Sequence, residues 1–227
     1  MPVSAADIAQ ILQFMGVSKI VTLDLHAIGT TGAIGTQCAW YDFEAAFTAL
    51  DFFEQEIPDK TKLCIVAPDA GAIKRAKKFH ENFESRGYEG QIGIAMMHKE
   101  RKVANQVEES IVIGDVQDKI CIIIDDMSDT SGTLCKAANE LQDKGAVEIY
   151  AFVTHGIFSD PAAQRISTSI IKKIVCTDTF KLPQETVDGM GGKLVQVSVD
   201  LMLAEIIRRL HQNEDVQDIH TVPKYKQ

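Results

Sequence analysis

The chain has 227 residues, 45% of them apolar, and a formal net charge of −9. That size supports a substantial core, one large domain or somewhat more, and the acidic balance excludes a broad nucleic-acid surface, because counterion release needs many clustered cations. No run approaches the ~18 apolar residues of a membrane span, and the opening MPVSAADIAQ lacks a signal peptide's basic start and apolar stretch, so the expected location is the cytosol. Cys38, Cys64, Cys121, Cys135 and Cys176 are widely spaced with no metal-type clustering and read as reduced core thiols.

Taken in chain order, SAADIAQILQF reads as a helix opened by Ser4, with Asp7 three residues later completing a box-like N-cap. The runs KIVTLDL, KLCIVAP, IGIAMM, KICIII, EIYAFVTHG, KKIVCTD and KLVQVSV, rich in β-branched residues, read as buried strands. Helical patterns lie between them, including LCKAANELQDKG, with Gly145 as its C-cap, and SVDLMLAEIIRRLHQ. Strand and helix in alternation predict an α/β fold, a doubly wound, mostly parallel sheet.

In such sheets ligands bind at the carboxyl ends of strands, near a reversal of strand order. Those ends read DLH (Asp24 to His26), PDAG (Pro68 to Gly71), MHKERK (Met97 to Lys102), DDMSDTSGT (Asp125 to Thr133) and THG (Thr154 to Gly156). Each has a plain structural alternative. His26 could simply bond a backbone group at a strand end, and HKERK could be a solvated charged loop. Lys74, Arg75, Lys77 and Lys78 read as the wet face of a helix, or Arg75 points toward bound phosphates, and His155 reads as strand-end structure.

The segment Asp129, Thr130, Ser131, Gly132 and Thr133 leads a strand into a helix. A turn of small residues at a helix start offers free backbone N–H groups, hydroxyls and the positive end of the dipole, a site for one phosphate. Asp125 and Asp126 would repel that phosphate if they faced it, since unit charges ~4 Å apart interact by ~4 kcal/mol at an effective dielectric near 20. A ligand with phosphate at one end and vicinal hydroxyls at the other satisfies both parts, because hydroxyls donate to carboxylates. A sugar phosphate has that layout.

These residues resemble the phosphoribosyl-pyrophosphate-binding motif of the phosphoribosyltransferase superfamily and, more narrowly, the ribose-phosphate diphosphokinases, or PRPP synthetases. TLDLHA, PDAG-x-KR, HKERK-x-AN, GDV-x-DKICIIIDDMSDTSGT, GA-x-x-IYAFVTHGIFS and MLAEIIRR occur in that family's order and approximate spacing and cover nearly the whole chain. The resemblance implies a phosphoribosyltransferase-like fold and transfer of pyrophosphate from ATP to ribose 5-phosphate, giving PRPP and AMP. It implies that Asp129 to Thr133 hold the 5-phosphate and that Asp125 and Asp126 hold the ribose hydroxyls. It further implies that Asp69, Ala70 and Gly71 form the pyrophosphate loop with His26, that His26 and Asp69 ligate Mg2+, and that Lys99 and Arg101 act at the transferring group. Phosphoryl transfer needs positioning and charge neutralisation more than covalent help, so two cations and magnesium are the expected tools.

The chain departs from the family pattern in three places. Ala72 stands where a second glycine is usual, the segment IGTTGAIGTQCAWYDFEAA lacks the usual acidic and aromatic pattern, and the chain starts well inside the family's usual sequence. The upstream part would supply the adenine-binding Arg-Gln pair. The expected organisation is therefore residues 1–42 as part of an N-terminal phosphoribosyltransferase-like domain, 43–200 as a C-terminal one and 201–227 as a helix and tail. Residues 1–41 are expected to be prone to association or disorder, as part of a homo-oligomer with other synthetase subunits. Two other functions compete: a non-catalytic regulatory subunit of a synthetase assembly, disfavoured by the intact DDMSDTSGT, and a base-attaching phosphoribosyltransferase, disfavoured by DLH and HKERK together. Neither nucleic acid nor a membrane is an expected partner.

Overall fold

The computed structural model describes residues 3–26, 38–100, 109–217 and 219. The chain divides into two units, Met1–Ala45 and Ala46–Gln227.

In the first unit, helix α1 (Val3–Phe14) is followed by two parallel strands, β1 (Lys19–Leu23) and β2 (Ala39–Phe43), paired from Lys19 with Ala39 to Leu23 with Phe43. Buried Ala9 and Cys38 pack with Val17, Ile20 and Trp40. Ser4 does not cap α1, because Val3 is already helical and Ser4 lies inside the first turn, with no acidic residue there. The same helix leaves Ile8 60%, Ile11 57% and Phe14 90% exposed. The described part of the first unit has only two strands on which to bury that face.

The second unit contains a seven-stranded sheet in the order β5-β4-β3-β6-β7-β8-β9. Its strands are β3 (Leu63–Ala67), β4 (Gly93–Glu100), β5 (Glu109–Ile113), β6 (Ile120–Ser128), β7 (Glu148–Gly156), β8 (Lys173–Thr177) and β9 (Leu194–Val197). All neighbours are parallel except β4 and β5. Two strands, β2 and the antiparallel edge strand β5, were not expected from the sequence.

Alternation along each central strand decides which helix it meets. Leu63, Ile65, Ile122, Ile124, Tyr150 and Phe152 turn to one face, where α2 (Leu50–Glu56) and α3 (Ile73–Phe83) add Leu50, Phe53, Phe79 and Phe83. Cys64, Val66, Cys121, Ile123, Ala151 and Val153 turn to the other face, against Leu134 and Leu141 of α4 (Gly132–Asp143) and Ile166 of α5 (Ala162–Thr168). Helices α6 (Gln184–Gly189) and α7 (Asp200–Gln212) complete the chain order. Because both faces are covered, the strands read as continuous apolar runs. Phe79 meets Phe53, Phe83 and Phe152 at ring-centroid distances of 6.0, 5.3 and 6.2 Å; truncating such a ring costs about 3–5 kcal/mol. All five cysteines are free thiols, Cys135 half-buried and the other four buried.

Strand order reverses between β3 and β6. From β3 the chain moves one way through β4 to β5, and from β6 the other way through β7 to β9, while β3 and β6 lie side by side and parallel. The loops that follow these two strands are therefore neighbours at the switch point.

Candidate functional site

The first of those loops follows β6. Asp129 and Thr130 are exposed, whereas Ser131 is buried and adopts a left-handed conformation at φ 58°. Its hydroxyl is bonded to the Ser128 hydroxyl at 2.8 Å and its carbonyl accepts from Cys135 N–H at 3.0 Å, so no side chain caps α4. The first-turn N–H groups of a helix have no intrahelical acceptor; with the dipole behind them, they suit an anion. The far end of α4 closes as the sequence predicts. Gly145 sits at φ 94°, its N–H reaches Gln142 O at 2.9 Å, and Ala146 N–H reaches Leu141 O at 3.0 Å.

Asp125 and Asp126 precede the loop inside β6, and each carboxylate is turned onto the backbone one residue ahead. Asp125 Oδ1 accepts from Asp126 N–H at 2.9 Å, and Asp126 Oδ1 accepts from Met127 N–H at 2.8 Å. The carboxylates share a cation, Arg75 of α3, whose Nη1 lies 3.8 Å from Asp125 Oδ1 and whose Nη2 lies 3.5 Å from Asp126 Oδ2. Arg75 is thus not on a wet helix face, since 13% of its side chain is exposed. It holds two acids together where unopposed charge would be costly. Burial first, and then the neighbouring charges of Asp126 and Asp69, push the Asp125 carboxyl up to about 7.

The second loop, Pro68 to Gly71, follows β3. Asp69, Ala70 and Gly71 are exposed, and Asp69 Oδ1 accepts from Gly71 N–H at 2.8 Å and Ala72 N–H at 3.1 Å, which fixes the turn into α3. Ala72 has φ −86°, an ordinary conformation for an L-residue, so this position does not demand glycine. A Cβ on Gly71 would lie 3.2 Å from Asp69 Oδ1, so the absence of a side chain there keeps the turn tight.

The other expected residues lie on further elements of the two units. His26 is exposed just after β1, in the first unit, where buried Asp24, at φ 47°, accepts from Ala45 N–H at 2.8 Å. Asp69 is in the second unit, and among the described residues no three His, Cys, Asp or Glu side chains are grouped to hold a metal ion. Lys99 lies on β4 opposite Ser110, with its side chain outside the described residues, and Arg101 is outside them altogether. His155 stands at the end of β7 beside Met127, its Nδ1 2.9 Å from Thr179 Oγ1. One residue at this end of the sheet escaped the sequence reading. Arg165 of α5 donates from Nη1 to Thr130 O at 2.9 Å. A contact that joins residues 35 positions apart leaves no local signal.

The sequence profile of the phosphoribosyl synthetase-associated domain matches residues 103–220. A crystal structure of phosphoribosylpyrophosphate synthetase from Mycobacterium smegmatis is similar at 30% identity with a TM-score of 0.79, covering 94% of this chain and 65% of that chain. A purine phosphoribosyltransferase from Pyrococcus horikoshii Ot3 is similar at 21% identity over 61% of this chain and 89% of that one, with a TM-score of 0.37. The present chain spans 65% of the length of the synthetase it matches. The profile match and the likeness to the mycobacterial synthetase place this chain in the phosphoribosylpyrophosphate synthetase family.

Proposed function

We propose that this protein is a ribose-phosphate diphosphokinase, transferring pyrophosphate from ATP to ribose 5-phosphate to give PRPP and AMP. One observation carries the reading: the reversal of strand order between β3 and β6 sets the Asp69 turn beside the Asp125–Thr133 segment. In an open parallel sheet that crevice is where a ligand is expected. The uncapped start of α4 suits the 5-phosphate, and Asp125 and Asp126 suit the ribose hydroxyls, which donate to carboxylates.

In the proposed reaction the anomeric hydroxyl oxygen attacks the β-phosphorus of ATP and gives up its proton to water, the bond from that phosphorus to the bridging α,β-oxygen breaks, and AMP leaves. The loop from Pro68 to Gly71 would receive the transferring group, with Lys99 and Arg101 neutralising charge as it develops. Asp69 and His26 are the residues that would hold Mg2+. Carboxylate oxygen suits that ion, and with few protein donors it would complete its shell with phosphate oxygens and water. When bound, magnesium would offset the negative charge of the phosphates. The exposed apolar face of α1 supports self-association, and we assign the working protein to a homo-oligomer in the cytoplasm. No described helix is long and apolar enough to cross a membrane.

The test is release of AMP and formation of PRPP when the purified chain is incubated with ATP, ribose 5-phosphate and Mg2+. Turnover abolished by Asp126→Ala is the expected result. No AMP release from a chain that still binds ribose 5-phosphate would favour a non-catalytic subunit of a synthetase assembly.

A further inference from the structure

The rim of the α4 cradle carries a guanidinium. Arg165 reaches across from α5, and the one hydrogen bond of its guanidinium among the described residues is the 2.9 Å donation from Nη1 to the carbonyl of Thr130. No carboxylate among the described residues pairs with it. Nε and Nη2 thus keep donors that a ligand oxygen can accept. The exposed guanidinium is anchored by a backbone atom of the loop itself, so its position follows the loop.

Gly132 gives the second observation. A Cβ built on it would lie 3.2 Å from Arg165 Nη1 and 3.7 Å from Cζ. The first residue of α4 is therefore glycine at the place where the guanidinium lies over the helix start. A methyl group there would crowd the guanidinium and shift it by a few tenths of an ångström. Bare backbone at this point and an arginine without a carboxylate partner make one arrangement, directed at an anion.

We propose that Arg165 determines specificity for the phosphate of the bound sugar phosphate, donating to a phosphate oxygen while Nη1 stays on Thr130. The inference rests on the reading of this cradle as a ribose 5-phosphate site, and it adds a residue that the loop itself does not supply. Arginine suits the role because its planar fork can serve the loop carbonyl and a phosphate oxygen together, and it stays charged at every working pH.

The experiment is isothermal titration of the full chain with ribose 5-phosphate and, separately, with inorganic phosphate, for wild type and for Arg165→Gln, Arg165→Lys and Gly132→Ala. Glutamine keeps an N–H donor for Thr130 O and removes the charge. Arg165→Gln is expected to weaken ribose 5-phosphate binding about tenfold or more, the scale of a lost charge-assisted hydrogen bond. Arg165→Lys recovers part of that loss, and Gly132→Ala, which crowds the guanidinium at the loop itself, also weakens binding. A merely structural role on Thr130 predicts instead that Arg165→Gln retains affinity, and that result overturns the inference. Wild type that binds ribose 5-phosphate while Arg165→Gln binds it equally sinks the inference alone. Wild type that binds neither probe overturns the sugar-phosphate reading and the inference with it.

Discussion

The guanidinium of Arg75 stands 3.5 Å from the carboxylate of Asp126, and it joins helix α3 to the strand that carries both acids of the site. Through this contact the turn after β3 and the acid pair of β6 form one electrostatic unit. Replacing Arg75 with Met leaves two carboxylates largely withdrawn from water without their shared cation. The expected cost is about 2–3 kcal/mol at pH 8, somewhat below the usual penalty for breaking a buried pair because both separations exceed hydrogen-bond length. The loss should shrink at pH 5, where Asp125 is protonated. Urea unfolding at the two pH values checks it, and an equal loss at both would contradict the charge account.

Asp125 supplies a pH dependence of its own. Its folded-state pKa is raised to about 7 from 3.8, so the folded chain holds a proton that the unfolded chain has released between those values. Its contribution is most favourable below pH 4 and is lost as pH rises through 7. Asn at this position keeps the Oδ1 acceptor for Asp126 N–H and removes the charge. Asp125→Asn is expected to be more stable than wild type at pH 8 by roughly 1–2 kcal/mol, allowing for partial exposure. The gain should vanish near pH 4, and stability curves for the two proteins against pH measure it directly.

Ala72 tests whether the proposed pyrophosphate turn lacks a glycine it needs. The residue is buried and its φ is −86°, so Gly would add freedom to the unfolded chain and relieve no strain. Ala72→Gly is expected to destabilise the protein by about 1 kcal/mol. It should bring no gain in affinity for inorganic pyrophosphate. A clear gain in titration calorimetry would show that the methyl group obstructs the turn.

The apolar face of α1 predicts association. With Phe14 90% exposed beside Ile11 at 57%, Phe14→Ser should shift the sedimentation profile toward smaller species at a fixed concentration. An unchanged distribution would remove α1 from the interface.

Much of the fold was legible because a buried parallel sheet writes itself as β-branched runs. The strands from β3 and β4 to β6, β7, β8 and β9 correspond to runs read directly from the sequence. The two unread strands have a physical explanation. AWYDF of β2 and ESIVI of β5 each begin on a polar or small residue, and β2 is interrupted by exposed Asp42 and buries only Phe43, so neither makes a continuous apolar signal. Ser4 failed as a cap for a similar reason: a capping residue type fixes no boundary when the residue before it is free to continue the helix.

The sequence alone determined the character of the proposed acceptor site, because its acids, hydroxyls and glycine are contiguous from Asp125 to Thr133 and contiguous chemistry survives without knowledge of the fold. Folding decided the partnerships. Arg75, 50 residues or more before the acids, becomes their counterion, and Arg165, 35 residues past Thr130, becomes the cation on the loop. Both arginines sit on helices whose charged positions look alike in sequence. Only the crossing of those helices over the reversal point of the sheet turns one toward the carboxylates and the other toward the cradle, since long-range electrostatics depends on distance in space and leaves no periodicity along the chain.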